Sequence, residues 1–494
     1  MHEPLAGTGM PEGLPGQRER VSHRPRGGRG FGVTAGVLLA FALGACGSGT
    51  DQEPAGIAIS NVTVIDAVSG ERPGQTVLVD GDRIVAVGAS DSIDLSGAHE
   101  VIDGTGRFLI PGLWDMHVHL TFDERFTATM PEMFIRYGIT SVRDTGGLME
   151  KMAPVVERMR AQGAVAPRVF FSGPLLDGAT VVYDGIDAPE IGVPNPEAGT
   201  ARSRVAELKS QGVDFVKIYE MVSPDVFAAL VEAAGTNGLP IAAHVPLSMR
   251  ASTAGPHVNS MEHLRNVELD CAANSSELLE TRRRQLSAGE ESSGMKLRTF
   301  LHSLQRREAI AAFDEEQCAE VLGTLRYTIQ VPTARLNALS MFPPFQRDDW
   351  PEAFAGMPQA VREEWSGPSP WVSRDPAQRD LTVAQYTLDM IARMHEAGVP
   401  VGAGTDTPIA LAIPGYSLHN ELEVLVAAGL SPLDALGAAT VQPAKFFSLE
   451  DEMGAVAPGM RADLVLLRAN PLTDISNTRT IDRVIARGRL MPVH

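Results

Sequence analysis

Two histidines two residues apart, His117 and His119, close the apolar stretch LWDMHVHL. In a β-strand, residues i and i+2 point to the same face. Two imidazoles so placed can grip one divalent metal ion. A lone H-x-H says little, so its weight depends on what accompanies it. Lys217 lies inside FVKIY, where burying a charged amine among apolar neighbours is costly. Either the lysine snorkels to the strand end, or its amine is neutral and captures carbon dioxide. The resulting carbamate is a carboxylate on a long arm, able to bridge two metals. Tyr219, two residues on, shares that face and can hydrogen-bond an oxyanion. His244 and His263 end the apolar runs IAAHV and SMEHL. Either alone reads as a structural histidine; both at successive strand ends, after an H-x-H and a buried lysine, read as ligands. Asp406, in VGAGTDTP, is a carboxylate that can hold a metal and share a proton with water.

These residues need a scaffold that brings strand ends together. LWDMHVHL, TSVRD, RVFFSGP, FVKIY, PIAAHV, NSMEHL, YTIQVPT and VGAGTD are eight strand candidates, with amphipathic helical patterns between most of them. That alternation points to an α/β fold, a (β/α)8 TIM barrel over residues 111–453, whose catalytic groups gather at the strand C-termini. Residues 57–110 and 454–491 both read as β, with Asp80-Gly81-Asp82 as a hairpin signal. Chain ends often lie close together, so one small β-sandwich-like domain is expected from both. Residues 270–326 and 338–380 break the spacing. Both follow barrel strands and are expected to hang over the top face as lids or substrate loops.

The N-terminus reads as an export signal. Arg24, Arg26 and Arg29 precede the apolar run FGVTAGVLLAFALG, too short to span a bilayer comfortably. The run ends at residues 43–46, LGAC, which resembles a bacterial lipobox with Cys46 as the lipidated thiol. The bland alternative is a plain secretory signal cut nearby, with Cys46 incidental. Residues 1–45 are thus expected to be removed and residues 46–56 to form a tether. This implies an exported protein, periplasmic or on the cell surface, meeting the membrane only through its anchor. Met10 is a second candidate for the true start. Of the three cysteines, Cys271 and Cys318 are the one pair left that can bond. Free thiols are the expectation, since many exported proteins keep no disulfide.

Composition removes other classes. The chain has 494 residues, 44% of them hydrophobic and 21% charged, so it is globular rather than disordered. A net charge of −19 and 5% aromatics oppose nucleic-acid binding, which needs a basic footprint. The remaining histidines have ordinary readings: His99 in the small domain, His257 and His302 in loop or helix, His395 near a helix end, and His419 as capping or packing.

Taken in order, LIPGLWDMHVHL, TSVRDTGG, VKIY, AAHV, MEHL, GAGTDTP and GAVAPGMRADLVLLRANPL resemble the amidohydrolase superfamily over roughly residues 57–491. Lys217 makes the chain similar to its binuclear branch of prolidase-like and imidazolonepropionase-related proteins. The resemblance implies His117, His119 and Asp406 on one metal, His244 and His263 on the other, and carboxylated Lys217 between them. Two divalent ions, expected as Zn2+, would activate water. Asp406 would move the proton and Tyr219 would steady the oxyanion. The implied activity is hydrolysis of carbon–nitrogen bonds in a small amide or dipeptide, Xaa-Pro first. Cyclic amide or lactam opening is the alternative, and phosphotriester or lactone hydrolysis would use the same metals. A different class is a lipid-anchored binding protein on an inactive hydrolase scaffold; the full set of metal positions argues against it. The two insertions lie where family members differ most, so substrate identity does not transfer. Oligomeric state is left open.

Overall fold

Parallel strands close into a ring whose mouth gathers the candidate residues. The computed structural model describes residues 56–288 and 293–492. The export signal, Cys46 and the tether through residue 55 lie outside the described residues. The ring starts at Leu113–Val118 and Ile139–Asp144. Its third strand is split into Arg168–Phe171 and Leu175–Asp177, with Gly173 at φ +72 between the halves. Val216–Ile218, Ile241–Ala243, Ser260–Glu262 and Ile329–Val331 follow, each paired parallel to the next.

Residues 401–407 complete the circle. Val401 bridges Gln330 and Thr407 bridges Val118, both parallel. Met116 N donates to Ala403 O at 2.9 Å and Asp406 N to His117 O at 2.7 Å. The small residues of VGAGTD allow this approach, because a Cβ on Gly404 would sit 2.7 Å from the Cβ of His117. Asp115 ties the two strands further, accepting from Thr405 Oγ1 at 2.6 Å and Thr405 N at 3.0 Å.

Helices pack around the ring through single apolar stripes. Pro224–Thr236 is capped by Ser223, whose side chain accepts from Val226 N, and has proline in its first turn. It buries Val226, Ala229, Leu230 and Ala233, the i, i+3, i+4, i+7 pattern of a core-facing helix. Thr382–Glu396 buries Thr387, Met390, Ile391 and Met394 in the same way. It stops before Gly398 at φ +72. Among the described residues no helix is long and apolar enough to cross a membrane.

Both chain ends share one mixed sheet. Phe108–Pro111 pairs parallel with Ile57–Asp66 on one side and antiparallel with Leu464–Leu467 on the other. The sheet is single rather than two stacked layers. Irregular pairing bends Ile57–Asp66 against Gly70–Asp80. The sheet then curls until Ile84 N donates to Met460 O and Ala462 N to Asp82 O, both at 2.8 Å. Ile59, Val64, Val77, Ile84, Leu109 and Leu466 fill the curl as a core of their own.

The insertion after the sixth strand forms three helices, Ser275–Ala288, Gly294–Ala311 and Glu315–Thr324. Cys271 and Cys318 are joined in a disulfide, against the expectation of free thiols. The reason is local. Asp314 N donates to Cys271 O at 2.9 Å, so Cys318, four residues on along the next helix, comes round beside Cys271. The second insertion forms Trp350–Ala355 and Gln359–Trp365 and packs beside helix Tyr416–Ala427. There Tyr416 Oη donates to Asp349 at 2.6 Å and Arg347 pairs with Glu423. Among the described residues it makes no hydrogen bond or ion pair with a candidate site residue, whereas the first insertion reaches Glu220, the partner of His244, through Arg298 and His302.

Candidate metal centre

His117, His263 and Asp406 each offer one ligand atom, and the three atoms lie within 4.8 Å of one another. All three residues are buried, and together they form a group able to hold a divalent metal ion. His119 Nε2 is 3.2 Å and His117 Nε2 3.4 Å from Asp406 Oδ1. The ring of His263 stands 4.5 Å from that of His117 and 4.7 Å from that of His244. The four histidines read from the sequence are therefore brought together with Asp406.

Their outer nitrogens are all engaged. His117 Nδ1 lies 2.7 Å from Glu262 Oε2 and His244 Nδ1 2.7 Å from Glu220 Oε1. His119 Nδ1 faces the Gly146 carbonyl at 3.3 Å. His263 Nδ1 lies 2.6 Å from Thr333 Oγ1, and that hydroxyl donates to Pro332 O, so it accepts from the imidazole. Every partner is an acceptor, which sets the proton on Nδ1 and leaves the Nε2 lone pair for a metal. Burial drives the His117 pKa down to about 4 against the pull of Glu262, keeping the neutral, ligating form. Burial raises the Asp406 carboxyl, but the His119 ring in contact with it and the nearby His117 and His244 imidazoles bring it down to about 2.

Strand alternation does not account for this convergence by itself. Ser260 and Glu262 face inward together, both on Arg143, so His263 should point away. Its backbone turns left-handed, at φ +60, and Asp406 does the same at φ +61. Such a conformation is costly for a side-chain-bearing residue and tends to cluster at functional sites.

Lys217 is 1% exposed, and its Nζ has no hydrogen-bond partner among the described residues. Burial, with Arg143 adding to it, holds its pKa at about 8 against the pull of Glu262 and Asp406. It does not snorkel. Tyr219 is buried too, with its ring 4.4 Å from that of His244.

Sequence reasoning missed the residues behind the ligands. Glu262 is fully buried and pairs with Arg143 at 2.8 Å. Glu220, also buried, meets His302 Nε2 at 2.8 Å and Arg298 Nε at 3.1 Å. Burial pushes the Glu220 carboxyl up, but Arg298, His302 and the bond to His244 hold it well below the usual range. His302, read as an ordinary helix residue, thus backs a candidate ligand. Its only local signal is a place four residues after Arg298, one helical turn away. His419 is as expected a packing residue, held by Thr478 Oγ1 at 2.9 Å and Tyr137 O at 3.0 Å.

Residues 377–491 match the model of the Amidohydrolase family. Adenine deaminase 2 of Shouchella clausii is 33% identical over 84 residues, 17% of this chain and 15% of that protein's length. Dihydroorotase of Pelotomaculum thermopropionicum is 25% identical over 452 residues, covering 88% of this chain and 93% of the relative. Among solved structures, a Xaa-Pro dipeptidase with methionine bound in its active site superposes with a TM-score of 0.62 at 20% identity. That match covers 88% of this chain and 99% of the dipeptidase, a likeness of fold. With a family match confined to its C-terminal part and a 25%-identical relative spanning most of its length, the chain is similar to amidohydrolases and carries a buried His/His/Asp group able to hold a metal ion.

Proposed function

We propose that this amidohydrolase-type hydrolase of carbon–nitrogen bonds cleaves small amides, with Xaa-Pro and related dipeptides foremost. The observation that carries the reading is the set of four imidazoles anchored through Nδ1, with His117 and His119 turning Nε2 toward Asp406. The donor set suits a borderline ion such as Zn2+, and the orphaned Lys217 Nζ suits carboxylation. His117, His119 and Asp406 would hold one metal, His244 and His263 a second, and carboxylated Lys217 both. Bound there, divalent ions supply Lewis-acid polarisation of the carbonyl and a lowered pKa for water. Asp406 takes the proton of the attacking water and returns it to the leaving nitrogen, whose C–N bond breaks. Tyr219 donates its O–H to the developing oxyanion.

A screen of N-acyl amino acids and dipeptides on the purified, metal-loaded protein tests this, with release of a free amine as the expected result. Turnover of lactams but of no linear amide would replace the reading with its cyclic alternative. No turnover across either set would leave a binding protein. Export with a lipid on Cys46 belongs to the same proposal, supported by the motif at residues 43–46 behind an apolar run. The mature protein should partition into the detergent phase, and Cys46→Ser should abolish that. Wild-type protein found lipid-free in the medium would overturn it.

A further inference from the structure

Two arginines flank the metal centre with too little negative charge to answer them. Arg265 follows His263 by two residues, and Arg298 comes from helix Gly294–Ala311 of the first insertion. Both approach Glu220, Arg298 Nε at 3.1 Å from Oε2 and Arg265 Nε at 3.7 Å from Oε1. That carboxylate is already taken, by His244 on Oε1 and His302 on Oε2. Among the described residues the Nε atoms of both arginines are buried without a hydrogen bond, as is His302 Nδ1. The guanidinium side chains are only 15% and 14% exposed. The other buried acid of this region, Glu268, pairs with a third arginine, Arg306, at 3.5 Å. Two buried cations therefore share one anion, an arrangement that is costly until a further anion arrives.

The surroundings say what that anion is attached to. An aromatic wall runs from the metal ligands: Phe122 packs 6.0 Å from His119, Tyr183 6.2 Å from Phe122, and Tyr219 5.7 Å from Tyr183. Met295, one turn before Arg298, joins the same apolar cluster. An apolar side chain fits along this wall, and the arginines stand beside His244. The planar fork of a guanidinium matches a carboxylate.

We propose that Arg265 and Arg298 form a subsite for a free carboxylate, so that the substrate is a dipeptide or N-acyl amino acid with an unblocked α-carboxylate and an apolar residue. The inference rests on the amide-hydrolase reading above and names its substrate class. Glu220 is a positioning residue that holds the two arginines beside His244.

The test separates binding from turnover. A non-hydrolysable dipeptide, with a methylene-amine in place of the amide, is titrated calorimetrically into the metal-loaded protein, as the free acid and as its C-terminal carboxamide. The acid should bind at least about 30-fold more tightly, as expected for charged hydrogen bonds to a desolvated group. In Arg298→Met and in Arg265→Met that preference should fall to within about three-fold, with Arg298→Lys intermediate because it keeps charge but not the fork. Equal binding of acid and carboxamide by wild type, or variants that lose both ligands to the same degree, would overturn the subsite. Failure of wild type to hydrolyse any dipeptide while preserving the acid preference would instead count against the hydrolase reading alone.

Discussion

Lys217→Ala is expected to bind fewer metal ions than wild type and to lose more than about 10²-fold in turnover, the scale on which several kcal/mol of transition-state stabilisation acts. The side chain is buried at the centre of the site, its Nζ without a hydrogen-bond partner. A neutral amine there is the form that captures carbon dioxide, and carboxylated it would present an anionic oxygen to each of two cations. Alanine leaves those cations facing each other without their shared anion, so one should depart. Acetate or propionate should partly restore both metal content and rate by filling the vacated arm. Glutamate at this position should keep some metal but misplace the bridge, because its arm is shorter. Elemental analysis of the purified variant beside a rate assay decides the matter. Undiminished metal and turnover in Lys217→Ala would mean that the centre works without this lysine.

Glu262→Gln should be the most damaging single change outside the ligands. Glu262 accepts from His117 Nδ1 at 2.7 Å, from Arg143 Nη2 at 2.8 Å and from Ser260 Oγ at 2.7 Å. Arg143 has no exposed surface and is stacked over Phe446 at 4.5 Å. An amide in place of the carboxylate leaves that guanidinium charged, buried and uncompensated. Losses of roughly 3–5 kcal/mol are typical of a broken buried pair. The same change frees the His117 ring, and outer partners of this kind are worth about 10–100-fold in metal affinity. Guanidinium unfolding of the metal-free protein should show the first effect, and competition with a chelator the second. A variant within about 1 kcal/mol of wild type would show that the pair is not a stabilising unit.

Some parts of the molecule are written locally in the chain. His117 and His119 are two apart on a strand, and Lys217 interrupts an apolar run. Both facts follow from chain geometry, because alternation along a strand and the cost of burying an amine act within a few residues. The eight strand candidates and the β pattern at both ends are legible for the same reason. The small residues before Asp406 were noticed, but not their purpose, which is the close passage of the eighth strand beside His117.

What the sequence by itself determined is the candidate set: four histidines, one lysine and one aspartate at strand ends of an alternating α/β chain. Only the tertiary structure decided what stands behind them. Glu262 meets His117 across 145 positions and Glu220 meets His302 across 82. A glutamate or a histidine on a helix looks the same in sequence whether it faces water or a buried partner. Cys271 and Cys318, 47 residues apart, carry no local mark of their bond either. The left-handed turns at His263 and Asp406 are likewise held by the packing around them. A candidate ligand pair can be read from spacing because a strand sets it over two residues. Charge compensation cannot, because it is settled between side chains that meet only when the barrel closes and the first insertion folds over its mouth.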